Sequence, residues 1–282
     1  MAKRDNSFNE SKLNKFLKEG RGSGVGGEYK PWLCIQDFPS QGRASRVYGW
    51  KTGRVHHFFT DIQTRYFYLL EWEDCVKDIR EHYPLLETKD IYTADINLNT
   101  FKDKKTGFQY ILTTTFLITI STAQGNVEVA RSIKSASEFE KKHVIEKFEF
   151  ERRYWASKGI EWGIVTQREI PRIKAKNVQW VHATKNFEGH VTNTDDEARR
   201  YCELLCDSLI KSTDSIRKVT ADFDLRYGLD EGSGLFIFKH LIANKIIKVD
   251  MNKEIDMNKP SIEIIKEIKM KGVYNWRNAA NS

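Results

Sequence analysis

Arg43, Arg46, Lys51 and Arg54 crowd into a turn-rich stretch and are interleaved with Tyr48 and Trp50. Cationic side chains among aromatic rings suit contacts to nucleic-acid phosphates and stacking, so this patch is the first candidate for binding DNA. Arg152-Arg153, beside Tyr154-Trp155, offers the same chemistry in a shorter run; a solvated helix end explains it equally well. His56 and His57 are adjacent and point to opposite faces of a strand. They cannot share a metal; one belongs in a core and one at the surface. Cys202 and Cys206 lie four apart, on one face of a helix. Structural zinc needs about four ligands, drawn from two segments, and no CxxC occurs, so packing is the simpler reading. The run Gly20-Arg21-Gly22-Ser23-Gly24-Val25-Gly26-Gly27 follows no strand and matches neither a phosphate loop nor a dinucleotide fingerprint. It reads as part of a flexible basic arm that touches DNA phosphates.

The bulk properties allow this chemistry. The chain has 282 residues, comfortable for two domains. Hydrophobic residues make up 40% and charged residues 30%, which suits a sizeable core with much exposed surface. The formal net charge of +7 is consistent with a polyanion partner, and equally with a basic protein that has none. Few cysteines and no signal segment point to a reducing cytoplasm. No apolar run approaches the roughly 20 residues that span a bilayer.

The elements that must position these residues follow from periodicity. Residues 1–30 are polar, basic and glycine-rich, with a short helix over Ser11–Glu19. Short strands and turns fill 31–60. Apolar spacing predicts a helix over Asp61–Trp72 and a strand from Val76 that ends near Pro84. The β-branched and aromatic run over 109–120 reads as a strand, paired through the turn Gln124-Gly125-Asn126 with a strand over Val127–Ile133. A long helix over Ser137–Lys158 and a buried strand over 162–166 complete an α/β domain. The rest is mainly helical. Thr194 and Glu197 have capping-box spacing at the start of a helix through Ile210; further helices cover Ser215–Asp224 and Gly234–Asn244. A strand over Ile246–Asp250 and an Ile-rich basic helix over Ser261–Lys271 follow. Helices followed by a strand pair form a winged-helix pattern.

Several separated motifs, in order, resemble one family: TnsA, the endonuclease subunit of heteromeric cut-and-paste transposases. They include Lys18-Glu19-Gly20-Arg21-Gly22, Tyr29-Lys30-Pro31-Trp32-Leu33, Lys51-Thr52-Gly53-Arg54-Val55-His56-His57, Leu70-Glu71-Trp72-Glu73 with Asp78-Ile79-Arg80-Glu81, and Glu149-Phe150-Glu151-Arg152-Arg153-Tyr154-Trp155. The resemblance implies a basic arm (1–30), a restriction-endonuclease-like α/β domain (31–170) and a winged helix (171–282). It also implies cutting of the element's 5′ ends in the bacterial cytoplasm, alongside a TnsB-type transposase that cuts and joins the 3′ ends. The second domain would contact a TnsC-type ATPase regulator. Lys239, His240 and Lys245 lie on its recognition-type helix, and DNA and protein both remain open as its partner.

A restriction-type centre uses one or two divalent metals to activate water and stabilise charge on the phosphate. Magnesium is hard and prefers anionic oxygen ligands. The family supplies a Glu on the first helix, an Asp on the first hairpin strand and a Gln-x-Lys on the second. The matching positions here hold Gln63, Thr115 and Ser132-Ile133-Lys134. Lys134 remains while both acids are gone, so the resemblance implies a vestigial centre with no metal or other cofactor. Glu128 is six residues from Lys134, roughly 20 Å along an extended strand, too far to share a metal. Glu73 and Glu149 are the available substitutes, and Lys134 is expected to pair with one of them. With those three residues an active magnesium-dependent endonuclease is the alternative, and a domesticated DNA-binding regulator is another.

Overall fold

The computed structural model describes residues 7–37, 43–89, 91–187, 191 and 194–269. Residues 1–6 of the expected arm and the last two of the helix expected over Ser261–Lys271 lie outside them. The chain divides into two units, Met1–Ile170 and Pro171–Ser282. Among the described residues no helix is long and apolar enough to cross a membrane.

In the first unit, helix α1 (Glu10–Lys18) starts where the Asn9 side chain accepts the Lys12 N–H at 2.9 Å. Strands β1 (Ser45–Tyr48) and β2 (Val55–Phe58) form a separate two-stranded antiparallel ribbon. Helix α2 (Asp61–Trp72) begins at Thr60, whose hydroxyl accepts the Gln63 N–H. The main sheet runs in the order β3 (Val76–Pro84), β4 (Thr113–Thr122), β5 (Gly125–Ile133), β6 (Glu161–Val165). Its first three strands are antiparallel, whereas β5 and β6 are parallel. A parallel neighbour requires a crossover, which helix α3 (Lys142–Ser157) supplies. Phe116 on β4 meets Phe58 and Tyr66 on one face. Leu117 and Ala130 meet Phe150, Tyr154 and Trp155 of α3 on the other. Both faces are therefore apolar, which explains the unbroken β-branched and aromatic run of β4.

Three sequence expectations change. First, residues 7–30 are not a loose arm. Phe8, Phe16 and Trp32 form a buried cluster, and the Arg21 guanidinium lies 3.7 Å over the Phe16 ring while its Nη1 donates to Asp37 at 2.5 Å. Gly22 has φ 79°, and a Cβ there would stand 2.2 Å from Pro84 Cγ. The glycines permit close packing and left-handed backbone, and Arg21 is turned inward. Second, the isoleucine-rich end forms one helical turn, α8 (Ser261–Ile264), and then strand β8 (Ile265–Ile268). Its isoleucine spacing fits either state; pairing with β7 (Ile247–Val249) decides, because an open strand edge rewards extended backbone. Third, a helix α4 (Arg172–His182) opens the second unit, its buried face marked by Ala175, Val178 and Val181.

Helices α5 (Asp195–Lys211), α6 (Ile216–Tyr227) and α7 (Ser233–Ala243) complete that unit. Thr194 and Glu197 close their cap: the hydroxyl accepts the Glu197 N–H and donates to its carboxylate at 3.0 Å. Cys202 and Cys206 are buried in the helical core.

His82 has the left-handed φ of 51° inside β3, uncommon for a residue with a Cβ. Its neighbours Glu81 and Tyr83 consequently face opposite layers, Glu81 toward His56 and Tyr83 toward Trp155. The twist is held by a hydrogen bond from His82 Nε2 to the His57 carbonyl at 2.8 Å.

Two predictions follow from this packing. A Cβ on Gly234 would lie 2.5 Å from the Thr220 carbonyl oxygen of α6. Gly→Ala inside a helix ordinarily gains up to about 1 kcal/mol; here overpacking costs about 1–3 kcal/mol. Gly234→Ala is expected to lower the urea midpoint with an unchanged slope, and a raised midpoint refutes the close contact. Burial also pushes the imidazoles of His82 and His240 down to about 4. Each stays neutral when folded and takes up a proton near pH 6.5 when unfolded, so its contribution is complete above about pH 6.5 and is lost as pH falls toward about 4. Unfolding at about pH 4.5 should show each costing about 2–3 kcal/mol relative to pH 7.5, with a shallower decline in His240→Gln.

Candidate functional site

Glu81 sits at the centre of a buried network. With no exposed surface, its carboxylate accepts Arg54 Nη1 at 2.8 Å, Arg54 Nη2 at 2.5 Å, His56 Nδ1 at 2.8 Å and the His57 N–H at 3.2 Å. The other ring nitrogen of His56 shares a hydrogen bond with Thr52 Oγ1 at 2.7 Å. Burial alone would raise the Glu81 carboxyl, but its interaction with His56 and the Arg54 hydrogen bonds override it and hold the group well below the usual carboxylate range. Glu71 makes a second clamp by accepting the N–H groups of Trp50 and Lys51. Together they fasten the inner face of the β1–β2 ribbon. His56 is core, as the residue spacing required, whereas His57, expected at the surface, is half-buried with its Nδ1 accepting the Ile35 N–H at 3.4 Å.

This network sorts the basic residues expected to meet DNA. Arg54 turns inward, its side chain 9% exposed, because its guanidinium neutralises Glu81; it offers no surface to a phosphate. Arg43 is 86% exposed, 3.5 Å from Asp61. Arg46 and Tyr48 stand exposed on the ribbon's outer face, and Lys51 in its turn is half-buried. On α3, Arg152 is exposed and bonded to Glu149. Arg153 binds both oxygens of Asp95 at 2.7 Å, together with Glu149 and the Tyr92 carbonyl, so it staples the 92–95 loop to the helix.

The positions matched to the family's metal ligands are each occupied by structural work. Gln63 Oε1 accepts the Phe59 N–H at 2.8 Å, and its hydrogen bonds among the described residues stay at the start of α2. Thr115 Oγ1 accepts the Ile133 N–H at 3.0 Å, bridging β4 and β5 beyond the last ladder pair, Phe116–Arg131. Ser132 donates to Glu151. Glu151, which the sequence reading passed over, is fully buried and also accepts Thr114 Oγ1 at 2.7 Å and Trp162 Nε1 at 3.3 Å, with Lys147 Nζ at 3.0 Å. Trp155 Nε1 completes the chain by donating to Thr114 Oγ1 at 2.8 Å. A signal existed: Glu151 lies three residues from Phe148 and from Tyr154, on the apolar side of α3.

Lys134 does not pair with Glu149, which Arg152 and Arg153 already hold. Its Nζ lies 3.8 Å from Glu138; burial and the nearby Lys147 lower its pKa. Glu73 ends α2, its N–H donating to the Leu70 carbonyl at 3.3 Å. Glu128 pairs with Arg80.

The three matched positions themselves carry no carboxylate. An octahedral oxygen site needs anionic donors. Here the matched positions provide an amide and two hydroxyls, each already bonded, and the adjacent Glu151 carboxylate has Lys147 Nζ 3.0 Å from Oε1, an oxygen that accepts no hydrogen bond among the described residues. Among the described residues no three His, Cys, Asp or Glu side chains gather as metal ligands.

In the second unit, His240 is buried, bonded through Nδ1 to the Thr184 carbonyl at 2.9 Å. Lys239 Nζ lies 4.6 Å over the Trp180 ring, and Lys245 follows α7 with φ 57°. Eight of the residues from Ser233 to Ala243 are buried, so α7 is a core helix, with little face left to enter a groove.

The contrast between two neighbouring glutamates on α3 is testable. Glu151→Ala removes the acceptor of Thr114 and Ser132 and the ion pair of Lys147 and should cost about 3–5 kcal/mol of unfolding free energy, whereas Glu149→Ala at the surface should cost about 1 kcal/mol or less. Equal losses in chemical denaturation would contradict the buried network.

The comparisons agree with one family throughout. Residues 73–167 match the TnsA-like endonuclease N-terminal family and residues 169–251 the TnsA endonuclease C-terminal family. The chain is 35% identical over 260 residues to the transposon Tn7 transposition protein TnsA of Escherichia coli, covering 92% of this chain and 93% of that protein. On the two matched domains and this near full-length similarity, the chain belongs to the TnsA endonuclease family.

Proposed function

We propose that this chain is a DNA- and partner-binding subunit of a Tn7-type transposition complex that does not itself cut. One observation carries the reading: Gln63, Thr115 and Ser132, which the resemblance assigns to the family's ligand positions, are closed into hydrogen bonds of the protein's own. A metal stripped of water needs anions beside it; the only carboxylate described next to these positions is Glu151, which is already ion-paired with Lys147. Lys134 persists as a cation beside Glu138.

The first unit is a restriction-endonuclease-like scaffold, which the hairpin β4–β5 with α2 and α3 on opposite faces of its sheet supports. The second is a winged helix, with helices followed by the β7–β8 pair. Because α7 is a core helix, its outer surfaces serve a TnsC-type ATPase regulator, while the first unit holds element-end DNA and a TnsB-type transposase in the bacterial cytoplasm. An active endonuclease would have to release Glu151 from Lys147, or Glu149 from two arginines.

With 5′ cutting lost, 3′ cutting and joining alone leaves donor and target linked. Sequencing of transposition products made with this subunit and its partners should therefore find cointegrates; clean double-strand excision dependent on this chain would falsify the proposal. Isothermal titration gives a second check. The wild-type chain should bind neither magnesium nor manganese at millimolar concentration, and the Gln63→Glu, Thr115→Asp double variant should bind manganese. Binding by the wild type would mean that the remaining glutamates have been recruited.

A further inference from the structure

We infer that the outer face of the β1–β2 ribbon enters the major groove of duplex DNA and reads base edges there, with Arg46 as the base-contacting residue. This rests on the DNA-binding reading above and goes further, from holding a phosphate backbone to sensing sequence.

The ribbon has two different faces. Inward, His56 and Phe58 are fully buried. Outward, Arg46 and Tyr48 are exposed, and Val55, the cross-strand partner of Tyr48, is 46% exposed. Arg46 has no ion pair among the described residues, and no Asp or Glu occurs between Asp37 and Asp61. A chain with 39 acidic residues among 282 would ordinarily place some in such a stretch; the exposed cations it presents are Arg46 and Arg43, the latter 3.5 Å from Asp61. Acidic protein surfaces and nucleic acid both complement them; the dimensions favour the duplex. Strands of four residues extend about 13 Å at about 3.3 Å per residue and lie about 5 Å apart, which suits a major groove about 12 Å wide that admits a two-stranded ribbon.

Rigidity supports the same conclusion, because discriminating one base pair from another requires a donor held in place before contact. Glu81 and Glu71 clamp the ribbon from behind. At its tip, a Cβ on Gly49 would stand 2.7 Å from both His56 Nε2 and Thr52 Oγ1, so the turn is packed down onto the buried network. Arg46 projects from the outer face beside its cross-strand partner, the half-buried His57, whose Nδ1 accepts the Ile35 N–H at 3.4 Å; its guanidinium can donate two hydrogen bonds to O6 and N7 of guanine. Tyr48 and Val55 offer apolar surface to a thymine methyl. Arg43, beyond the start of β1, is placed for a phosphate rather than a base.

The test is selection of a randomised duplex pool by the full chain, followed by fluorescence anisotropy with the most and least enriched duplexes across a salt series. Arg46→Ala should weaken the preferred duplex by about 10- to 100-fold, change the least enriched one little, and flatten the enrichment. Arg43→Ala should weaken both duplexes alike and reduce the slope of log affinity against log salt by about one. Exposed Arg46 and Arg43 are replaceable without touching the core, and unchanged unfolding midpoints would verify this. If the wild type binds duplexes but enriches no sequence, or if Arg46→Ala and Tyr48→Ala keep its preference, the groove-reading ribbon is wrong while DNA binding stands. If the wild type binds no duplex, the DNA-binding reading fails as well. If the ribbon variants keep wild-type DNA binding but lose association with the partner transposase, the face is a protein interface and the inference is overturned.

Discussion

A carboxylate without exposed surface governs the architecture of the first unit. A buried anion is costly unless it is paired and hydrogen-bonded, so Glu81 of β3 can exist only where Arg54 and His56 reach it. That requirement seats the β1–β2 ribbon, which shares no strand pairing with the main sheet. It also draws in the N-terminal segment: Tyr29 donates to the Glu81 carbonyl at 3.1 Å, and Arg54 Nε donates to the Gly26 carbonyl at 3.2 Å. Such pairs add little net stability over a well-packed apolar core, but breaking one leaves an uncompensated charge. Their effect here is positional.

Glu151 repeats this logic on the opposite layer of the sheet, and with a different consequence. A metal centre must leave its carboxylate oxygens for the cation and accept the repulsion between them. Around Glu151 the protein has taken the other solution. Thr114, Ser132 and Trp162 donate to one oxygen of the single acid and Lys147 lies 3.0 Å from the other, which accepts no hydrogen bond among the described residues, while Thr115 receives a backbone N–H and Gln63 caps a helix. The same hydroxyls and amide that remove the ligands supply the hydrogen bonds that hold the strands and helix in place.

Much of the secondary structure was legible because burial imposes a period. The helix over Asp61–Trp72 matches its expected limits, and β3 to β6 fall where apolar alternation or β-branched runs placed them. Reading failed where one residue type serves two purposes. Glycines in 20–27 suggested freedom, yet Gly22 is needed for contact with Pro84, a residue over 60 positions away in sequence. The isoleucines after Ser261 fit a helix until the edge of β7 is considered. Glu149 drew attention as an acid in a motif, but helical geometry turns Glu151 inward and leaves Glu149 to surface arginines.

By itself, the sequence determined the family and most of the helices and strands, because residue identity and local period are properties of the chain. The tertiary structure decided which charges are spent. Arg54 and Arg46 are both arginines in one basic stretch, indistinguishable by composition; only the fold shows that one neutralises Glu81 and the other faces solvent. A charge takes its role from its distance to other charges and to water, and for partners such as Arg54 and Glu81, 27 positions apart, the packed fold sets that distance.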